Sequence, residues 1–314
     1  MSDQRPINDE AATNGAEEAN ARLRRLVNVL RLGDPSEYRG HTYINGESMY
    51  FPTGRVYGGQ VIAQSLIAAS KTVPEGREPN SIHGYFIAPG DIHQDLLFDV
   101  ENLRDGHSFS ARRVNVTQAE GPILTAIASF QKSGQTGVDF ADPMPTGLPE
   151  PESLMSAKEL MTPLKDLSPF ADYYASKSPF DIRHITPTVM IKPDKASHEA
   201  DSGKQMVWMR ADGDLDMPQV IHRALLALGC DQVMMEPVLR RAGLSISTPG
   251  MSYASIDHSM WWYRDIDVTK WHLYVQDSPT AAHGRGLGTA KVYTQDGKLA
   301  ACMVQEAMIR VPGI

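Results

Sequence analysis

The sequence predicts an α+β chain built twice over, each half made of one long apolar helix followed by a run of antiparallel strands. Three observations predict it. Two helical stretches, 61–73 and 218–234, have so few polar positions that other structure must surround them. Each is followed by strand-like runs separated by short polar turns. Short identities also recur in the same order in both halves: Gln60-Val61-Ile62 with Gln219-Val220-Ile221, His83 with His258, Thr117-Gln118 with Thr294-Gln295, and Gln131 with Gln305. Their offsets are 159, 175, 177 and 174 residues, which fits a duplication whose sheets align while the helix regions differ in length.

The elements follow in order. Residues 1–22 contain no Leu, Val, Phe, Tyr or Trp and are rich in Ala, Asn, Glu and Asp, so they are expected to be a disordered acidic tail. Leu23, Leu26, Val27 and Leu30 recur at helical spacing, and Gly33 with Asp34-Pro35 ends that run. A strand is expected at 42–50, then Gly58-Gly59-Gln60 opens the first apolar helix, and strands follow at 81–88, 96–103, 108–116 and 123–131. The stretch 132–200 holds nine of the 21 prolines and reads as a linker crossing a surface, with short helical or strand pieces at 153–161 and 181–191. Beyond it come a strand at 207–211, the second apolar helix, and strands at 253–263, 271–277, 286–294 and 298–310.

Composition narrows the function classes. At roughly 150 residues per domain, 314 residues make about two domains. Hydrophobic residues at 41% and charged residues at 22% exclude collagenous, disordered and disulfide-scaffold chains. Thirty basic against 38 acidic residues give a net charge of −8, which argues against a nucleic-acid partner and leaves room only for a local basic pocket. No apolar run reaches 18 residues, so no membrane span is expected. Asp3, Asp9, Glu10, Glu17 and Glu18 stand where a secretory leader would be apolar, and Val311-Pro312-Gly313-Ile314 is not a Ser-Lys-Leu type signal. A cytoplasmic protein is expected. Cys230 and Cys302 lack CxxC or metal spacing and read as reduced thiols.

Several motifs fail. His198-Glu199 is followed by Ser202 where a zinc hydrolase needs a second His. Gly106-His107-Ser108-Phe109-Ser110 misses the nucleophile elbow at its last residue and lies between strands. Gly284-Arg285-Gly286-Leu287-Gly288 precedes a strand, so it offers no helix N-terminus to a dinucleotide. Asp212, Asp214 and Asp216 lack the Gly and Glu of a calcium loop, having Met217 and Arg223 there.

The segment Gly54-Arg55-Val56-Tyr57-Gly58-Gly59-Gln60-Val61 resembles the opening helix motif of the acyl-CoA thioesterase II family, the TesB-like double hotdogs. His83-Gly84-Tyr85-Phe86, Pro89-Gly90-Asp91, the block from Asp99 through Arg104-Asp105-Gly106 to Val114, and Ala128-Ser129-Phe130-Gln131 are similar to it in order. In the second half Ile256-Asp257-His258-Ser259-Met260-Trp261, Tyr293-Thr294-Gln295-Asp296-Gly297 and Val304-Gln305-Glu306 continue the likeness, which covers about residues 42–311. The segment between Gly33 and Gly54, together with Met234-Met235-Glu236 and 245–250, departs from the family pattern. The resemblance implies a tandem hotdog, each half a long helix wrapped by an antiparallel sheet: 23–131 the first, 132–200 the Pro-rich linker, and 201–314 the second with the catalytic residues. Dimers or tetramers of such double hotdogs stay open.

It also implies three site residues, Asp231, Ser255 and Gln305. Read without the family, Asp231 follows a buried apolar run and could equally be a cap or an ion-pair partner, Ser255 a backbone-bonded strand hydroxyl, and Gln305 a polar strand residue. Hydrolysis of a fatty acyl-CoA to fatty acid and coenzyme A needs a nucleophile, a proton acceptor and an oxyanion donor. Asp231, Ser255 and Gln305 would orient one water, with Asp231 taking its proton; attack by Asp231 itself to give an anhydride is the alternative. Backbone N–H groups of Gly58, Gly59 or Gln60 are the oxyanion candidates, since Pro218 at the other helix start has none. Arg104, Arg112, Arg113, Arg264 and Arg285 are candidates for the coenzyme A phosphates, and no metal or redox cofactor is required. Cys230 reads as core, Met234 and Met235 as packing residues, and His83 and His258 as structural. The rival readings are a non-catalytic acyl-CoA-binding regulator, which would keep the pocket, and a hotdog enoyl-CoA hydratase, which would need an Asp and His pair near a helix start.

Overall fold

The computed structural model describes residues 7–313. Helix α1 (Ile7–Leu30) leads to β1 (Ser36–Tyr38) and β2 (His41–Gly46), then α2 (Gly58–Ser70), β3 (Arg77–Phe86), β4 (Leu96–Asp105), β5 (Phe109–Gln118) and β6 (Gly121–Lys132). Between the halves lie α3 (Ala157–Met161), α4 (Pro169–Asp172), β7 (Phe180–His184) and α5 (Lys195–Glu199). The second half contains β8 (Gln205–Ala211), α6 (Gln219–Cys230), α7 (Glu236–Arg241), β9 (Ser252–Ser255), β10 (Asp257–Trp262), β11 (His272–Ala282), β12 (Arg285–Thr294) and β13 (Leu299–Arg310).

The thirteen strands among the described residues form one antiparallel sheet in the order β1-β2-β4-β5-β6-β3-β10-β13-β12-β11-β8-β7, with β9 also paired to β13. The two halves join where β3 meets β10, Ser259 opposite His83 and Met260 opposite Ile82. One face of this sheet wraps α2 and α6, and a single core runs through Ile62, Leu66, Phe98, Val114, Leu225, Leu228, Tyr274 and Met303. Helix α2 can sit there because eleven of its 13 residues are buried and its two buried glutamines satisfy each other: Gln60 donates to Gln64 Oε1 at 3.0 Å, and both donate to Glu47 O. This is the tandem hotdog that the resemblance implies. No helix among the described residues is long and apolar enough to cross a membrane.

Four expectations are corrected. Residues 1–6 lie outside the described residues, but the rest of the expected tail is helical as part of α1. Ala19 and Arg22 continue the stripe of Leu23, Leu26, Val27 and Leu30 at spacings of three and four, and all six are buried. Arg22 pairs with Asp212 at 3.2 Å and Asn20 accepts from the Asp214 N–H at 2.7 Å, so the helix is docked by a small residue and two polar ones that a search for large apolar residues overlooks. Second, the stretch 132–200 holds the short pieces expected of it, α3 and β7, but is more than a linker because β7 extends the sheet by pairing with β8, Ile182 opposite Met209. Upstream of it Met144, Leu148 and Leu154 pack on Trp208, Trp271, Leu273 and Tyr293. Third, the helix expected over 218–234 stops at Cys230, where the bonding tightens to i→i+3, Gln232 N–H to Gly229 O and Val233 N–H to Cys230 O.

Fourth, two of the internal identities are not structural equivalents. His83 is exposed and stacks edge-on with Trp261 on the outer face, whereas His258 is wholly buried. Gln131 alternates with buried Phe130 and is itself only half-buried, whereas Gln305 is wholly buried.

Candidate active site

Three elements deliver the site. The first is the antiparallel meeting of α2 and α6, in which the N-terminus of α2 abuts the C-terminus of α6. Tyr57 donates its hydroxyl to Leu228 O at 2.8 Å, and a Cβ at Gly59 would lie 2.7 Å from that same carbonyl oxygen, so only glycine allows the approach. Gly58 is similarly confined, with Asp231 Oδ2 at 3.0 Å and the Phe86 ring at 3.1 Å from where its Cβ would be. Asp231 caps the C-terminus of α6, and its Oδ2 accepts the Gly59 N–H at 2.8 Å. The carboxylate thus sits at the positive end of α2. Burial, and secondarily the Asp231 charge, hold the Tyr57 phenol well above its ordinary pKa, so it stays a donor.

The second is a bulge between β9 and β10. Ser255 pairs with Ala307, but Ser259 pairs with Val304, so one extra residue is inserted on the β9 to β10 side. The Ile256 N–H bonds to Glu306 O, and Ile256 O accepts from the Phe86 N–H. Asp257 Oδ1 accepts the Glu306 N–H at 2.9 Å and holds the kink. Strict alternation from buried His258 would turn Ser255 outward; the extra residue turns its hydroxyl inward instead. The third element is β13, on which wholly buried Gln305 faces the helices.

These elements bring the three predicted residues together. Gln305 Nε2 donates to Asp231 Oδ1 at 2.8 Å and to Ser255 Oγ at 2.7 Å. Both amide N–H groups are therefore committed, while the Ser255 hydroxyl keeps its own proton free to donate. Each Asp231 oxygen keeps a second lone pair beside the one it uses. Of the oxyanion candidates, the Gly59 N–H is taken by Asp231. Gly58 and Gln60 retain N–H groups that precede the first helical bond, Val61 N–H to Tyr57 O. The Gln60 side chain points away, toward Glu47 and Met49.

The arginine expectations fare differently. Arg112 is wholly buried, donating to Thr72 Oγ1 and Thr72 O at 2.8 Å and to both oxygens of Asp105 at 2.9 and 3.0 Å, so it ties the end of α2 to the β4–β5 corner and is no phosphate ligand. Arg113, Arg264 and Arg285 are in surface pairs with Glu101, Asp139 and Glu306, and Arg104 is exposed on β4. Among the described residues none of the four contacts Asp231, Ser255 or Gln305 through a hydrogen bond. Cys230 is buried, and burial pushes its thiol pKa well up, so it stays unreactive core. Met234 and Met235 are buried packing residues. Among the described residues no group of three or more His, Cys, Asp or Glu could hold a metal. Sequence reasoning missed two contacts here, the Gly59 N–H on Asp231 and His258 beneath Gln305; only the inward alternation of His258, Met260 and Trp262 signals the second.

Known proteins resemble this chain over most of its length. Residues 48–131 match the family described as the acyl-CoA thioesterase N-terminal domain and residues 156–309 the one described as its C-terminal domain. The chain is 34% identical over 292 residues to acyl-CoA thioesterase 2 of Haemophilus influenzae, covering 92% of this chain and 98% of that one. It is 32% identical over 301 residues to human acyl-coenzyme A thioesterase 8, covering 91% and 89%. The solved structure of acyl-CoA thioesterase II TesB2 from Mycobacterium marinum superposes with a TM-score of 0.72 at 31% identity, covering 92% of this chain and 99% of that one. On this evidence the chain belongs to the TesB-like acyl-CoA thioesterase II family.

Proposed function

We propose that this acyl-CoA thioesterase hydrolyses fatty acyl-CoA to fatty acid and coenzyme A, with Asp231 as general base and Ser255 and Gln305 as its partners. The observation that supports it is the continuous chain of bonds from Gly59 through Asp231 and Gln305 to Ser255. A water between the free lone pairs of Asp231 and the free proton of Ser255 is oriented at both ends. Gln305, with no N–H left over, holds those two groups in place rather than holding the water. The water oxygen attacks the acyl carbonyl carbon and gives its proton to Asp231. The negative charge formed on the carbonyl oxygen is met by the N–H of Gly58 or Gln60 at the positive end of α2. Collapse breaks the C–S bond, and the departing sulfur takes the proton back from Asp231. The matching end of α2 in the first half carries Ser70 and Lys71 in place of an acid, so that half supports the site without repeating it.

The test is the release of free thiol from saturated medium-chain and long-chain acyl-CoA by the unmodified protein, followed with a thiol reagent. One thiol per thioester consumed is expected. Tight acyl-CoA binding without thiol release would favour the regulator, and hydration of an enoyl-CoA without thiol release would favour the hydratase.

A further inference from the structure

Both N–H groups of Gln305 serve Asp231 and Ser255, which leaves its amide oxygen directed to the other side, into the sheet. There it faces His258, whose Nδ1 lies 3.2 Å from Gln305 Oε1. His258 has no exposed surface, and among the described residues its Nε2 has no hydrogen-bond partner. Asp231 Oδ1 accepts, so the Gln305 atom facing it is Nε2. Oε1 then faces His258 and can only accept, so Nδ1 must carry a proton. In the neutral ring Nε2 is then bare, which suits a site that offers it no acceptor. Protonating Nε2 as well would bury a charge and an unpaired N–H together, and burial holds the His258 pKa below its ordinary value. Moving the proton to Nε2 instead would set two lone pairs against each other across 3.2 Å and favour a half-turn of the Gln305 amide, which would aim its oxygen at the Asp231 carboxylate.

We propose that His258 is a positioning residue for the reaction: as a neutral imidazole protonated at Nδ1, it fixes the Gln305 amide so that both its N–H groups face Asp231 and Ser255. It exchanges no proton with substrate. The inference rests on the assignment of Asp231, Ser255 and Gln305 made above, and it adds a fourth residue that acts only through Gln305.

His258→Leu removes the donor while keeping bulk, and His258→Asn restores an N–H close to the place of Nδ1. Loss of one orienting hydrogen bond should lower kcat about tenfold in His258→Leu with KM little changed. His258→Asn should recover most of that loss, and His258→Leu should cost nothing further in a Gln305→Ala background. Equal losses for the Leu and Asn variants, or an undiminished loss in the Gln305→Ala background, would overturn the proposal. A readout independent of turnover is nitrogen NMR of the unmodified protein labelled in its histidines, with the His258 signals assigned by their absence from His258→Asn. A protonated Nδ1 and a bare Nε2 are expected at neutral pH, with any titration of the ring below its ordinary range. A proton on Nε2, or a ring titrating near its ordinary value, overturns the proposal whatever the variants do. If Gln305→Ala kept full turnover while the NMR result held, the catalytic assignment of Gln305 would fail and the orientation of its amide by His258 would stand.

Discussion

Gly59 carries a tight steric constraint in the site, because the space for its missing Cβ is filled by Leu228 O and the Tyr57 ring, each 2.7 Å away. Gly59→Ala forces the N-terminus of α2 off the end of α6 and lengthens the bond to Asp231. It should destabilise by about 1–3 kcal/mol, the range for overpacking a close contact, and lower kcat as well. Denaturant unfolding and thiol release on the same variant check both, and an alanine that kept native stability and turnover would contradict the geometry. Ser255→Ala and Gln305→Ala should each cost less than loss of Asp231, and adding either to Asp231→Asn should cost little more, because residues acting as a unit are not additive. The check is kcat/KM across the single and double variants; additive logarithms would mean that these residues contact substrate independently. At this scale Asp231, Ser255 and Gln305 were legible because the family resemblance implies an acid on the second long helix, a hydroxyl on the following strand and a Gln near the end. Gly59 and His258 were not, since their roles depend on which helix end meets which and on strand register. Arg112 was misread because charge says nothing about surroundings: its guanidinium is spent on Asp105 and Thr72 inside the fold.

Among the elements, the long apolar helices and the strands were legible from periodicity, and two boundaries were not. At the end of α6, Gly229 lies inside the last turn and no Gly or Pro directly follows Cys230, so the change to i→i+3 bonding has no stop signal in the sequence. The break between β9 and β10 is a one-residue bulge inside an uninterrupted strand-like sequence, and only pairing partners reveal it. The helix expected from Leu23 to Leu30 is the end of α1, and the extension of α1 back to Ile7 was the largest misreading. Its start is rich in Ala and acids, which reads as a tail until the facing surface at 212–214 supplies partners. Leu23 is 1% exposed, so Leu23→Ala should cost about 2–5 kcal/mol, the scale of a large-to-small core change, as measured by urea unfolding. A change within a few tenths of a kcal/mol would mean that α1 is not docked.

Across the whole molecule, duplication was legible as two helix-plus-sheet patterns, and so were first-half N–H donors beside a second-half catalytic set, but not the bond that ties the two halves together at Asp231. Gly59 of the first half holds the carboxylate of the second, so neither half contains the full set. The buried histidines make this fold acid-sensitive. Burial lowers the pKa of His222 and His258, and brings that of His272 down to about 4. The unfolded chain binds each proton near pH 6.5 and the folded chain only at lower pH, so stability is full above about 6.5 and is lost as pH falls. For His272 the window runs from about pH 6.5 to about 4 and amounts to about 3 kcal/mol. Denaturant unfolding at several pH values should show that slope, and His272→Phe should flatten it by up to one proton; an unchanged slope would mean that His272 is protonated in the folded state. The central claim is that Asp231, held jointly by the two halves, activates the attacking water. Asp231→Asn keeps shape and hydrogen bonding but removes the base, so the most direct measurement is its steady-state thiol release from a long-chain acyl-CoA beside its binding of the same ligand. Turnover lower by about 10²–10⁴-fold with binding intact is the predicted result, and near-full turnover would contradict it.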